Sequence, residues 1–167
     1  MEERERLEAL IREAFAGVTR EGGMSWRDAL VADFHGDESF ADFVDRDESW
    51  TDLIDDPEWN YDAGVGGSNF LDAIGFRYYL AAALVQEVRG AELETLPWRL
   101  TLGREHGWLL RRMRARMREH TLEQWSRLTP EQMRAIAEVV RWRAEQEGEP
   151  EWGWSRAWDS YWKDLEL

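Results

Sequence analysis

A chain of 167 residues suits one domain with one sizeable core, and 43% hydrophobic residues exclude wholesale disorder. The 35 acidic residues outnumber the 21 basic ones to give a formal net charge of −14, a field that repels nucleic acid and anionic membranes and favours basic partners. Cysteine is absent, so disulfides and thiolate chemistry are excluded, which suits a reducing compartment.

The start, MEERERLEALIREAF, is charged and helical and has no apolar signal core. No run reaches the roughly 18–20 apolar residues that a bilayer-spanning helix needs. A cytoplasmic protein without a membrane or nucleic-acid partner is therefore expected. The 11 tryptophans admit two readings: core and boundary residues, or exposed anchors for a partner.

Residues 2–17 read as a first helix. Leu7, Leu10, Ile11, Ala14 and Phe15 form one apolar stripe, and Glu2 and Arg6 can pair one turn apart. Gly22 and Gly23 mark a turn. Ser25 with Asp28 three residues on reads as a capping box for a short second helix.

Then comes an acidic region, residues 33–62. It carries 12 Asp and Glu against the single Arg46, about −11 by side-chain counting. Phe40, Phe43, Val44, Trp50, Leu53, Ile54 and Trp59 are interleaved with the acids, too many for a disordered tail. Short helical turns are expected here, one of them starting after Ser49. Asp45, Asp47, Ser49, Thr51 and Asp56 follow the ligand spacing of a calcium loop. Trp50 stands where that loop turns on glycine, and Asp56 where it ends on glutamate, so no metal is expected.

The glycine-rich YDAGVGGS, residues 61–68, lacks a preceding strand and a P-loop lysine, so it is read as a connection and not as a nucleotide cradle. The next stretch, NFLDAIGFRYYLAAALVQE, organises the chain. Asp72 is the N-cap of a helix over 72–88 that is apolar on most sides, with Arg77 the charge that breaks its apolar stretch. A helix of that kind needs neighbours all round. Leu93 to Leu102 alternate apolar and polar around Pro97, which predicts a loop with some extended backbone.

Residues 107–120 are the one basic segment. Arg111, Arg112, Arg114, Arg116 and Arg118 surround a stripe of Leu109, Leu110, Met113 and Met117. In so acidic a chain this helix is expected to lie near the acidic region and balance it. Thr129, Pro130 and Gln132 give the clearest helix start, with Met133, Ile136, Ala137, Val140 and Ala144 as its buried stripe. The closing EWGWSRAWDSYWKDLEL places Trp154, Trp158, Tyr161, Trp162 and Leu165 on one helical face, expected to be the last wall of the core.

The segments FLDAIGFRYYLAAAL and SRLTPEQMRAIAEVVRW and the closing YW, with the earlier SWRDALVADF and SWTDL, resemble a family of small bacterial proteins of unknown function. The likeness covers most of the chain and is patchy from Glu87 to Glu123. Ala81 departs from it, standing where the family carries proline after the Tyr-Leu pair. The resemblance implies a shared fold and no function.

The expected architecture is all-α: a single domain, residues 1–167, with about six or seven helices bundled around a central apolar helix. No catalytic motif is legible. His35, His106 and His120 stand in no metal-ligand pair and follow no nucleophile, and no cofactor is implied. The first functional expectation is a non-enzymatic acidic protein-binding module, of immunity or inhibitor type, that covers a basic protein through Asp45, Asp47, Trp50, Asp55, Asp56 and Trp59. The alternative is a small-ligand-binding protein or enzyme with a pocket near Arg77 and His35. On that reading the buried guanidinium recognises an anion; the plainer reading is a structural ion pair with Asp33 or another acidic-region carboxylate.

Overall fold

The helix from Ala73 to Arg89 is apolar on most sides, and the rest of the chain wraps it. The computed structural model describes residues 2–36, 45, 47–62, 67–103, 111–147 and 153–165, and for residues 111–114 the backbone alone. Within them run α1 (Glu2–Ala14), α2 (Trp26–Asp33), α3 (Gly67–Phe70), α4 (Ala73–Arg89), α5 (Leu96–Arg99), α6 (Arg111–Trp125), α7 (Pro130–Glu147) and α8 (Gly153–Ser160). Single 3₁₀ turns cover Trp50–Leu53 and Trp162–Asp164. The described residues contain no strand. Six of the eight helices are eight residues or longer, so the expected all-α bundle around a central helix is what the chain forms.

Central α4 begins where Asp72 takes the N-cap, its Oδ1 accepting from the Gly75 amide at 2.7 Å. It ends at Gly90, whose left-handed φ of 101° lets its amide reach back to the last carbonyls. Phe76, Tyr78 to Val85 and Val88 are all buried. Burying so continuous an apolar surface, at roughly 25 cal/mol per Å² removed from water, is the main stabilising term of the fold.

Helices α1, α6 and α7 and the turn at Trp50 pack on α4, α1 also lies against α7, and α8 closes over α7. Leu7 and Ile11 are the buried edge of α1, and Phe15, just past its end, is buried with them. An aromatic layer lies beside α4, with the Trp26 ring 5.5 Å from Trp59, 5.6 Å from Tyr61 and 5.1 Å from Tyr79. A second layer joins Trp125, Tyr161 and Trp162.

Local capping chemistry forms as expected. Ser25 and Asp28 make a reciprocal box, Ser49 and Asp52 make another, and the Thr129 and Gln132 side chains each accept from the other's amide.

Three expectations are corrected. Arg6 pairs with Glu3 and Glu138, not with Glu2, because its guanidinium bridges α1 to α7. Leu96–Arg99 is a helical turn and not extended chain: Pro97 fits the first turn of a helix as well as it fits a loop. The closing aromatic segment is not one helix; it breaks at Tyr161, and Trp162 then donates to the Leu100 carbonyl at 2.7 Å. Arg116 and Arg118 of the basic helix are exposed on α6, which packs on α4. Residues 37–44, Arg46, 63–66, 107–110 and 148–150, which carry parts of the acidic, glycine-rich and basic readings and the end of α7, lie outside the described residues.

The start of α4 is crossed closely by the chain at Gly23 and Met24. A Cβ on Gly75 would sit 2.5 Å from the Met24 carbonyl oxygen, which is backbone and cannot rotate away. Gly75→Ala is therefore expected to destabilise the protein by about 1–3 kcal/mol, despite alanine's better helix propensity. Urea unfolding of the two proteins measures it; an alanine variant at least as stable as the parent would show that the crossing yields.

Candidate functional site

The chain from Ser49 to Asp62 is laid across the C-terminal half of α4, and the gap between them is the candidate site. Leu53 and Ile54 turn inward, and the Gln86 amide of α4 donates to their carbonyls at 3.3 and 3.2 Å. Asp56 Oδ1 accepts from the Glu58 amide at 2.9 Å, an Asx turn that swings the chain toward Trp59. Asp62 ends the segment by accepting from the amides of Glu94 and Thr95, at 2.7 and 3.0 Å, and from the Thr95 hydroxyl.

These constraints leave a surface cleft of about 500 Å³. Ile54, Trp59 and Leu93 supply its apolar lining, Asp55 and Asp56 stand on one wall, and Gln86 and Arg89 on the other. Arg89 is already engaged. Its Nη1 donates to Asp55 at 2.8 Å, and its Nε and Nη2 grip Glu8 at 3.0 and 2.9 Å. That grip, with Arg12 behind it, holds the Glu8 carboxyl below the ordinary carboxylate range. Arg89 is thus shared by two carboxylates, Glu8 and Asp55, while Asp56 beside them has no cation partner among the described residues.

The six residues expected to form one exposed acidic and aromatic face divide between surface and core. Asp55 is 83% exposed, and Asp56 is half-buried beside it. Asp45 is half-buried, with Oδ1 3.4 Å from the Arg27 amide. The Asp47 side chain is only 1% exposed; it accepts the Tyr78 hydroxyl at 2.6 Å and lies 3.6 Å from Arg20. Burial first, and then this carboxylate, push the Tyr78 hydroxyl above its ordinary range. Trp50 and Trp59 are each 3% exposed, and Trp50 Nε1 donates to the Phe15 carbonyl at 3.1 Å. As anchors for a partner these two rings are corrected to core residues, because a ring that reaches the apolar surface of α4 is better removed from water there. Among the described tryptophans, Trp98 alone is exposed.

The second expected pocket does not assemble. His35 is exposed at the end of α2 in a left-handed conformation, φ 58°. Arg77 is half-buried and donates to the Arg127 carbonyl at 3.2 Å, with no carboxylate partner among the described residues. A carbonyl takes the place of the expected ion pair with Asp33, and no described contact joins Arg77 to His35.

Residues 3–166, almost the whole chain, match the model of a family of unknown function, DUF6714. The chain belongs to that family. The DUF6714 match bears out the family resemblance read from the central helix and the Thr-Pro-Glu-Gln helix start, and it attaches no activity to the fold. No curated protein and no solved structure matches the chain. Among the described residues of this DUF6714 chain, no helix is long and apolar enough to cross a membrane. The cleft residues that sequence reasoning missed are Gln86 and Arg89. Their spacing of three at the end of an apolar helix was the available signal for one polar face.

Proposed function

We propose that this chain is a non-enzymatic acidic binding protein, of immunity or inhibitor type, that covers a basic protein partner with the surface around Asp55 and Asp56. The observation that carries the reading is the shape and chemistry of the cleft: an apolar lining of Ile54, Trp59 and Leu93 under the carboxylates of Asp55 and Asp56. A lysine or arginine side chain has the matching anatomy, an apolar stem ending in a cation. The chain's charge of −14 adds long-range attraction for such a partner and repels nucleic acid and anionic membranes. The absence of cysteine suits the bacterial cytoplasm as its setting. The reading requires no cofactor.

The test is capture from host lysate followed by affinity measurement on the captured protein. Affinity is expected to fall steeply between about 50 and 300 mM salt, because the Debye length shortens over that range. Asp55→Lys with Asp56→Lys is expected to weaken binding about tenfold or more, mainly through slower association. Asp47 is unsuitable for charge reversal because it belongs to the interior. Binding indifferent to both salt and the double reversal would rule the reading out.

A further inference from the structure

Arg99 presents a different chemistry on another part of the molecule. Its guanidinium, on the short α5, is largely sunk in the protein, yet it faces no carboxylate among the described residues. Its one side-chain acceptor is Asn69 Oδ1 on α3. Burial pulls the Arg99 guanidinium below the ordinary arginine range, with the Tyr61 hydroxyl opposing. The arginines of α1 and α7 that bridge helices, Arg6 and Arg143, do so on glutamates. A buried cation without an anion is costly, so this arrangement is incomplete as a structural tie.

The Asn69 end of the contact is firmly built. His120 Nε2–H donates to the Asn69 carbonyl at 2.8 Å; a carbonyl only accepts, which fixes that ring nitrogen as the protonated one. The Gln124 amide donates to the carbonyls of Ser68 at 3.2 Å and Leu71 at 2.8 Å. Helix α6 therefore pins the α3 turn from both sides of Asn69. Because Oδ1 accepts from Arg99, the two N–H groups of the Asn69 amide remain as donors, alongside the rest of the guanidinium fork.

None of these nitrogens is both buried and unpartnered, so they have access to solvent. Among the described residues no carboxylate pairs with these donors. Phe70 and Trp98, the chain neighbours of Asn69 and Arg99, are exposed at 39% and 37%.

We propose that Arg99 and Asn69 form a binding seat for an oxyanion, a carboxylate or phosphate carried on a small aromatic or apolar molecule. The fork of a guanidinium matches two oxygens of such a group at once, and the Asn69 amide supplies a third donor. Phe70 offers apolar surface for the body of the ligand, and the Trp98 ring already carries the Arg156 guanidinium, 5.9 Å from its centre. The exposed Arg116 and Arg118 on α6 make the surroundings less hostile to an anion than the net charge of the whole chain implies.

The test uses two probes, benzoate and phenyl phosphate, titrated separately into the full chain while NMR follows the Arg99 Nε–H and Asn69 side-chain amide signals. Saturable shifts at both signals are expected with at least one probe, and the stronger probe tells a carboxylate seat from a phosphate seat. Arg99→Lys keeps the charge and loses the fork, so it is expected to weaken binding about tenfold. Asn69→Asp supplies the missing carboxylate from within the protein. It is expected to raise the melting temperature and abolish the shifts, which also guards against a variant that simply fails to fold. Absence of saturation with either probe at about 20 mM, a concentration that detects even very weak binding, would overturn the proposal, as would unchanged binding in Asn69→Asp.

Discussion

Replacing Trp50 with alanine is expected to destabilise the protein by about 3–5 kcal/mol, the loss typical of deleting a fully buried large aromatic ring. Trp50 is 3% exposed, in a turn capped by Ser49 and packed on α4. Its indole N–H also ties that turn to α1 through the Phe15 carbonyl. Trp50→Phe separates the two contributions: it keeps much of the buried ring and loses the hydrogen bond, and is expected to cost about 1 kcal/mol plus a smaller packing loss. Urea unfolding of the three proteins makes the comparison. If alanine left stability intact while weakening a partner's affinity, Trp50 would be a docking anchor and its buried placement would be refuted.

The second large effect lies at Glu87 and Arg143. The Glu87 side chain is wholly buried in the central helix, and Arg143 of α7, 22% exposed, reaches it at 2.7 Å. The Leu93 amide donates to the other carboxylate oxygen at 2.7 Å, and the Arg143 guanidinium lies against the rings of Trp142 and Trp154. Burial raises the Glu87 carboxyl above its ordinary range. The Leu93 amide and Arg143 offset this only in part, while Asp62 and Glu92 add to it.

A carboxyl with a raised folded pKa binds its proton more tightly when folded, so its contribution to stability is present below the ordinary carboxylate range and is lost as pH rises through the raised value. Arg143→Met keeps a stem between the two tryptophans and removes the only cation paired with Glu87 among the described residues. The expected loss is about 3–5 kcal/mol near pH 8, shrinking near pH 5 as Glu87 takes up a proton. Glu87→Gln is expected to flatten the pH dependence while keeping the Leu93 hydrogen bond. Equal losses for Arg143→Met at the two pH values would show that Glu87 carries no such titration.

What could be read from the sequence was local. Ser25 with Asp28, Asp72 with Gly75 and Thr129 with Gln132 are contacts three residues apart, and each forms as its spacing implies. The long apolar run named α4 as the central element because such a helix is stable only when surrounded.

The candidate site was half legible. Asp55 and Asp56 are at the surface, where charge belongs. The fate of Trp50, Trp59 and Asp47 depended on which side of an irregular segment meets α4, and neither a 3.6-residue nor a 2-residue period ran through residues 33–62 to decide it. Arg99 with Asn69 and Arg143 with Glu87 lie 30 and 56 positions apart in the chain. No spacing rule reaches that far, so only the folded chain pairs them.

The packing of α1 on α7 bears on how the protein is made. Leu7, Ile11 and Phe15 are synthesised well before α7, and the Ala14 carbonyl accepts from Gln132, 118 positions later. At about 5–20 residues per second, α1 waits on the order of ten seconds for the helix that covers it. Packing on α4 covers part of its apolar stripe sooner, and the part that faces α7 stays open to chaperones and to other nascent chains for that time. Closure of this face of the core therefore waits until α7 has been made.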